Sequence, residues 1–123
     1  MKTGRLKKRP QFLEITNKGH KAVTRSFVVF CRFGYLDDNP RYNSAHADVL
    51  YGLTVTKKLG NAIVRNRIKR RLRHMMMGMS PEFPDVFQGA GLVLIGRPSA
   101  ADMDFTELCA ELRKCLNWLR KQA

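Results

Sequence analysis

KKLGNAIVRNRIKRRLR, residues 57 to 73, carries eight Lys or Arg side chains among seventeen residues and no acid. A folded chain must hold these like charges together against their repulsion, so such a surface expects a polyanion. At helical spacing Asn61, Val64, Ile68, Leu72 and Met75 fall on one stripe, the pattern of a helix resting on a core. Arg65, Asn66, Lys69, Arg70 and Arg73 lie on the other faces, open to solvent or to a partner. Gly60 and Asn61 suit a loop and an N-cap, where free backbone N–H groups can meet a phosphate. Arg outnumbers Lys in the stretch and no Glu sits at i,i+4, unlike a helix charged only for solubility. Because phosphate neutralisation supplies much of the affinity for nucleic acid, the helix reads as a nucleic-acid contact.

The segments around this helix punctuate clearly. VLYGLTVT, residues 49 to 56, reads as a strand that enters directly on Lys57. Before it, GYLDDNPRYNSAHAD, residues 34 to 48, holds Gly, Pro, Asn and Asp and reads as an excursion between strands, to which no function is assigned. SFVVFCRF, residues 26 to 33, is a strand with Phe27, Val29, Cys31 and Phe33 on one face and Val28, Phe30 and Arg32 on the other. QFLEITNKG is a short helix entered at Pro10, with Phe12, Leu13 and Ile15 as its apolar side and Gly19 as its stop. MKTGRLKKR, residues 1 to 9, is polar and basic and is expected to be mobile.

On the other side, MMMGMSPEFP loses periodicity and reads as a connecting loop. GLVLIG, residues 91 to 96, is a continuous apolar run, the mark of a strand in the middle of a sheet. The last helix is capped by Asp104, with Glu107 three residues on and Met103 and Leu108 at the spacing of a hydrophobic staple. Phe105, Leu108, Cys109, Leu112, Cys115, Leu116 and Leu119 make its stripe, and Trp118 flanks it. The order is α-β-β-α-β-α, with room for one more strand in or near the excursion, and an α+β sandwich follows from it.

The chain of 123 residues makes one domain with a formal net charge of +13. Residues 1 to 73 carry 18 basic and 4 acidic side chains, whereas residues 74 to 123 carry 5 and 6, so one part binds and the other builds the scaffold. No apolar run approaches the roughly 18 residues of a membrane span and the N-terminus has no secretion signal, so the expected location is the cytoplasm. Three cysteines, Cys31, Cys109 and Cys115, lack paired spacing and indicate neither a disulfide framework nor a zinc site. His20, His46 and His74 stand apart, and no nucleophile pattern accompanies them.

RLKKRPQFLEITNKG at residues 5 to 19, RSFVVF at 25 to 30, TKKLGNAIVRNRIKRRLR at 56 to 73 and GLVLIGRPSAADMDFTEL at 91 to 108 resemble the protein component of bacterial ribonuclease P over almost the whole chain. The resemblance implies a two-layer α-β-β-β-α-β-α sandwich, ribosomal-protein-S5-domain-2-like, with a left-handed crossover. It implies a single RNA-binding domain over residues 1 to 123 that assists a catalytic RNA in removing the 5' leader of precursor tRNA. Hydrolysis is then carried by the RNA subunit and Mg, with no catalytic or metal-binding residue in the protein. By position in the family's motif, Lys57, Lys58, Asn61, Arg65, Asn66, Arg67, Lys69, Arg70 and Arg73 contact the catalytic RNA, while Phe12, Arg25, Val28 and Phe30 hold the leader. Thr16 departs from the family, which often has an aromatic residue there. The partners implied are the catalytic RNA subunit and the leader, with no membrane and no DNA.

Two other classes compete. A structural RNA-binding protein of ribosomal type shares the charge and size, but spreads its basic residues through tails. A nuclease acting by its own side chains needs clustered acids, and Asp37, Asp38, Asp102 and Asp104 sit where turn chemistry and capping account for them.

Overall fold

The computed structural model describes residues 1–123. β1 (Thr3–Arg5), α1 (Arg9–Lys18), β2 (His20–Val23), β3 (Phe27–Arg32), α2 (Tyr35–Asp38), β4 (Val49–Thr54), α3 (Ala62–Met79), α4 (Pro84–Phe87), β5 (Gly91–Gly96) and α5 (Phe105–Gln122) follow one another, with 3-10 turns between several of them. The five strands form one mixed sheet in the order β1-β4-β5-β3-β2. β4 runs parallel to both β1 and β5, and β3 runs antiparallel to β5 and β2. β5 is central, as its unbroken apolar run requires.

Alternation divides the sheet into two faces. Phe27, Val29, Cys31, Tyr51, Leu92 and Leu94 join Ile68, Leu72 and Met75 of α3 and Leu108, Leu112 and Leu116 of α5 in the main core. The opposite face is covered only in part: Leu6, Ile15, Tyr35, Ala47, Leu50 and Val93 form a smaller cluster under α1, with Phe12, Phe30 and Ile95 half-buried at its margin.

The hand of the β4-α3-β5 crossover follows from hydrogen bonds. Leu50, whose side chain faces α1, donates its N–H to Ala90 at the entry to β5 (3.1 Å), whereas the carbonyl of Tyr51, which faces α3, accepts from Leu6 just after β1 (2.8 Å). For L-residues this puts β5 to the right of β4 when the sheet is seen from the α1 side with β4 running upward. α3 returns on the far side. The crossover is therefore left-handed, against the usual rule for parallel strands.

Three local readings differ. The additional strand lies at His20–Val23, before β3, and the excursion holds α2 and a 3-10 turn at Pro40–Tyr42 instead. HKAV is too short and polar to announce itself, and pairing with β3 makes it a strand. Within the basic segment expected to be mobile, Thr3–Arg5 pair with β4 and Leu6 is 7% exposed. MMMGMSPEFP is largely helical, because α3 continues to Met79, burying Met75, Met76 and Met79, until Pro81 stops it. Gly78 is tolerated on an open side where an added Cβ would touch nothing.

Candidate nucleic-acid interface

α3 begins where the sequence places it. Asn61 caps the helix, its Oδ1 accepting the N–H of Val64 (3.0 Å). Gly60 before it has φ +137°, a conformation that favours glycine, and so lets the chain turn from the Lys57–Leu59 3-10 turn into the helix. Lys57 and Lys58 stand exposed on that turn.

The expected contact residues divide between two flanks of α3, as 3.6 residues per turn dictates. Arg67 and Arg71 lie on one flank, where Arg67 Nε donates to the Ala101 carbonyl and Arg71 Nε to that of Ala100 (2.9 Å each). Arg71 also reaches the Met103 carbonyl and lies over the Phe105 ring, 5.8 Å from its centroid. Arg71 is thus a strap between α3 and the approach to α5, whereas Arg67 remains exposed while bonded. Arg65, Lys69 and Arg73 lie on the other flank, half-buried, with Arg65 Nε donating to the Gly60 carbonyl (3.2 Å). Asn66 and Arg70 project outward between the flanks and are exposed. No carboxylate pairs with any of these cations, since the four ion pairs involve Lys18, Arg32, Arg113 and Arg120. Their charge is available to a partner.

The open face of the sheet supplies a second surface. The register places Gly52, Val93, Phe30 and Lys21 in one cross-strand row, and Thr54, Ile95, Val28 and Val23 in the next. Phe12 leans from α1 over Gly52 and makes the wall of this cleft. Phe30 forms its floor with Lys21 Nζ 5.7 Å from the ring centroid, beside Ile95 and the nearly covered Val28. Arg25 stands exposed in the β2–β3 turn at the end of that floor. The turn is held by Ser26, fully buried, whose Oγ lies 2.9 Å from Ser99 Oγ and 3.1 Å from Met103 Sδ.

Phe12, Val28 and Phe30 therefore share one face. A groove lined by Arg9, Phe12 and Leu13 of α1, Leu53, Thr54 and Val55 at the end of β4, and Lys69 of α3 joins that face to the basic helix. Arg9, Leu13, Lys21 and Ile95 were missed in the sequence. Arg9 was recoverable, since it lies three residues before Phe12 on the same flank of α1.

The acids weighed as metal ligands are occupied or dispersed. Asp38 pairs with Arg32, and Asp104 Oδ1 caps α5 by accepting the Thr106 N–H (3.0 Å). No group of three or more His, Cys, Asp or Glu side chains is placed to hold a metal ion. Burial pushes the Cys31 thiol up to about 12 and the Cys115 thiol up to about 11, so neither offers a thiolate near neutrality.

These features coincide with a known family. The ribonuclease P family model matches residues 1–120. The ribonuclease P protein component of Gluconacetobacter diazotrophicus is 39% identical over 112 residues, covering 91% of this chain and 87% of that protein. That of Streptococcus thermophilus is 37% identical over 112 residues, covering 90% and 87%. The RNase P protein structure of Staphylococcus aureus superposes with a TM-score of 0.67 at 30% identity, covering 92% of each chain. With such a match along nearly its whole length, this chain belongs to the ribonuclease P protein family.

Proposed function

We propose that this subunit of ribonuclease P binds the catalytic RNA through α3 and the Lys57–Asn61 turn while holding the 5' leader of precursor tRNA in the cleft between α1 and the sheet. The observation that carries this reading is the groove from Phe12 to Lys69, which makes an aromatic cleft and an unpaired cationic helix into one surface. Phosphates along α3 meet charges already fixed on a rigid element, which spares the cost of ordering a tail. Unpaired leader bases meet the faces of Phe12 and Phe30, which accept any base because each has a π-face. The protein thereby lowers the electrostatic cost of bringing two polyanions together.

The chain's own residues bind and orient, and the chemistry of bond cleavage falls to the RNA subunit with Mg. The same proposal puts this work in the cytoplasm. No helix is long and apolar enough to cross a membrane. Family membership decides against the ribosomal alternative. Reconstitution tests the division of labour. RNA-free protein cleared of contaminating nuclease is expected to leave precursor tRNA intact, and addition of the catalytic RNA with Mg to release the leader at the mature 5' end. Cleavage at that position by the RNA-free protein would overturn the reading.

A further inference from the structure

The excursion between β3 and β4 belongs to neither surface described above, yet it helps enclose a second concave cationic site. Arg5, Lys7 and Lys8 approach it from the N-terminal segment, Arg41 and Tyr42 from the excursion, and Gln11 from α1. No carboxylate lines it, and none of the four cations takes part in an ion pair.

Both walls are fixed. Gln11 is only 3% exposed, and its Oε1 accepts the N–H groups of Lys7 and Lys8 (2.9 and 2.8 Å), setting the backbone from which those lysines project. On the excursion, Asn43 accepts the Ala47 N–H at Oδ1 (2.8 Å) and donates from Nδ2 to the Ala47 carbonyl (2.9 Å). Asn39 Nδ2 donates to Glu14 of α1 (2.7 Å), and the Lys2 backbone is clasped by Asp48 from both sides. This is a bonded wall, whereas a floppy loop would leave these groups to water.

Its chemistry differs from that of the leader cleft. The one ring here, Tyr42, is covered by the Arg41 guanidinium at 4.9 Å from its centroid, whereas the leader cleft offers two rings, Phe30 with Lys21 at 5.7 Å and Phe12 with no cation over it. Four unpaired cations without a free ring suit phosphates and sugar, whereas the Phe12 and Phe30 surface suits unstacked bases. The groove also lies on the Gln11 flank of α1, opposite the Phe12 flank, so α1 is a ridge between the two.

We infer that the 34–48 excursion is an RNA-docking arm, which with the N-terminal segment forms a second phosphate-binding groove for the backbone of the catalytic RNA. This rests on the functional reading above and extends the RNA contact beyond α3. The protein then grips its RNA partner on two sides of the leader path.

The test titrates full-length protein with the transcribed catalytic RNA over a salt series. Lys7→Ala/Lys8→Ala/Arg41→Ala is expected to bind about ten- to a hundredfold more weakly near 0.15 M salt, with the slope of log K against log salt shallower by about 2 to 3. An equal charge loss elsewhere, Arg113→Ala/Lys114→Ala/Lys121→Ala on α5, should stay much closer to the parent. Equal losses in the two triple variants, or an unchanged slope in the groove variant, would refute the arm. So would a loss confined to leader-bearing precursor tRNA in the assembled enzyme, which would assign the groove to the leader. Arg65→Ala/Arg70→Ala, run alongside, separates the two levels: if it weakens binding and the groove variant does not, only the arm fails. If neither weakens binding, the reading of α3 fails as well. Should the triple variant melt early, Arg41→Gln alone carries the comparison, with a smaller loss of slope expected and none refuting.

Discussion

Phe12 and Gly52 show how closely the cleft depends on single atoms. A Cβ at position 52 would lie 2.3 Å from Phe12 Cε1, so the ring rests on β4 only because that strand has no side chain there. Gly52→Ala is expected to push Phe12 off the sheet at a cost of about 1 to 3 kcal/mol in stability, as overpacking does. Its affinity for leader-bearing precursor should fall with little change for leaderless tRNA. Phe30→Ala separates stacking from packing more sharply. Stacking on an unpaired base is worth about 1 to 3 kcal/mol, whereas truncating a fully buried Phe costs about 3 to 5 kcal/mol of stability. Because Phe30 is half-buried at the margin of its cluster, a modest drop in melting temperature with loss confined to the leader-bearing substrate is expected. A large drop with equal loss on both substrates would make it a core residue. Alternation within SFVVFCRF was enough to put Val28 and Phe30 on one face. Gly52 carried no such signal, since its role depends on a ring forty residues earlier in the chain.

The element that organises the molecule, α3, is two-sided. Its core stripe of Ile68, Leu72 and Met75 was legible from spacing alone, as was its cap at Asn61. The sorting of its arginines was not, because it depends on where the approach to α5 passes. Arg71 spends its donors on the carbonyls of Ala100 and Met103, while Arg70, one residue earlier, is free. Arg71→Ala is therefore expected to cost stability, at about 0.5 to 1.5 kcal/mol for each hydrogen bond removed, with RNA affinity reduced little once the protein is folded. Arg65→Ala/Arg70→Ala should do the reverse, costing in stability no more than the single exposed Arg65–Gly60 hydrogen bond while weakening assembly with the catalytic RNA. Paired melts and RNA titrations check both. Interchanged results, with Arg71 governing RNA affinity and Arg65 with Arg70 governing stability, would reverse the flank assignment. The same limit explains the missed β2 and β1. Short polar strands acquire their structure from neighbours, whereas long periodic helices declare theirs locally.

At the scale of the whole molecule, charge opposes folding and promotes assembly. A net charge of +13 with most cations unpaired raises the energy of the compact free protein, because folding brings like charges closer than they are in the extended chain. Added salt screens that repulsion within about 10 Å at 0.1 M, and so should stabilise the free protein. The same salt competes for the RNA phosphates, and the complex should weaken with a slope of about 0.7 to 0.9 per phosphate neutralised. The two effects have opposite signs. Raising NaCl from low to near-molar levels is thus expected to raise the melting temperature of the free protein while lowering its affinity for the catalytic RNA. A variant lacking unpaired cations on α3 should show a smaller response in both measurements. If the free protein instead melted earlier as salt rose, the surface ion pairs at Arg113 and Arg120 would outweigh the repulsion, and the unpaired charges would not be the dominant electrostatic feature of the fold.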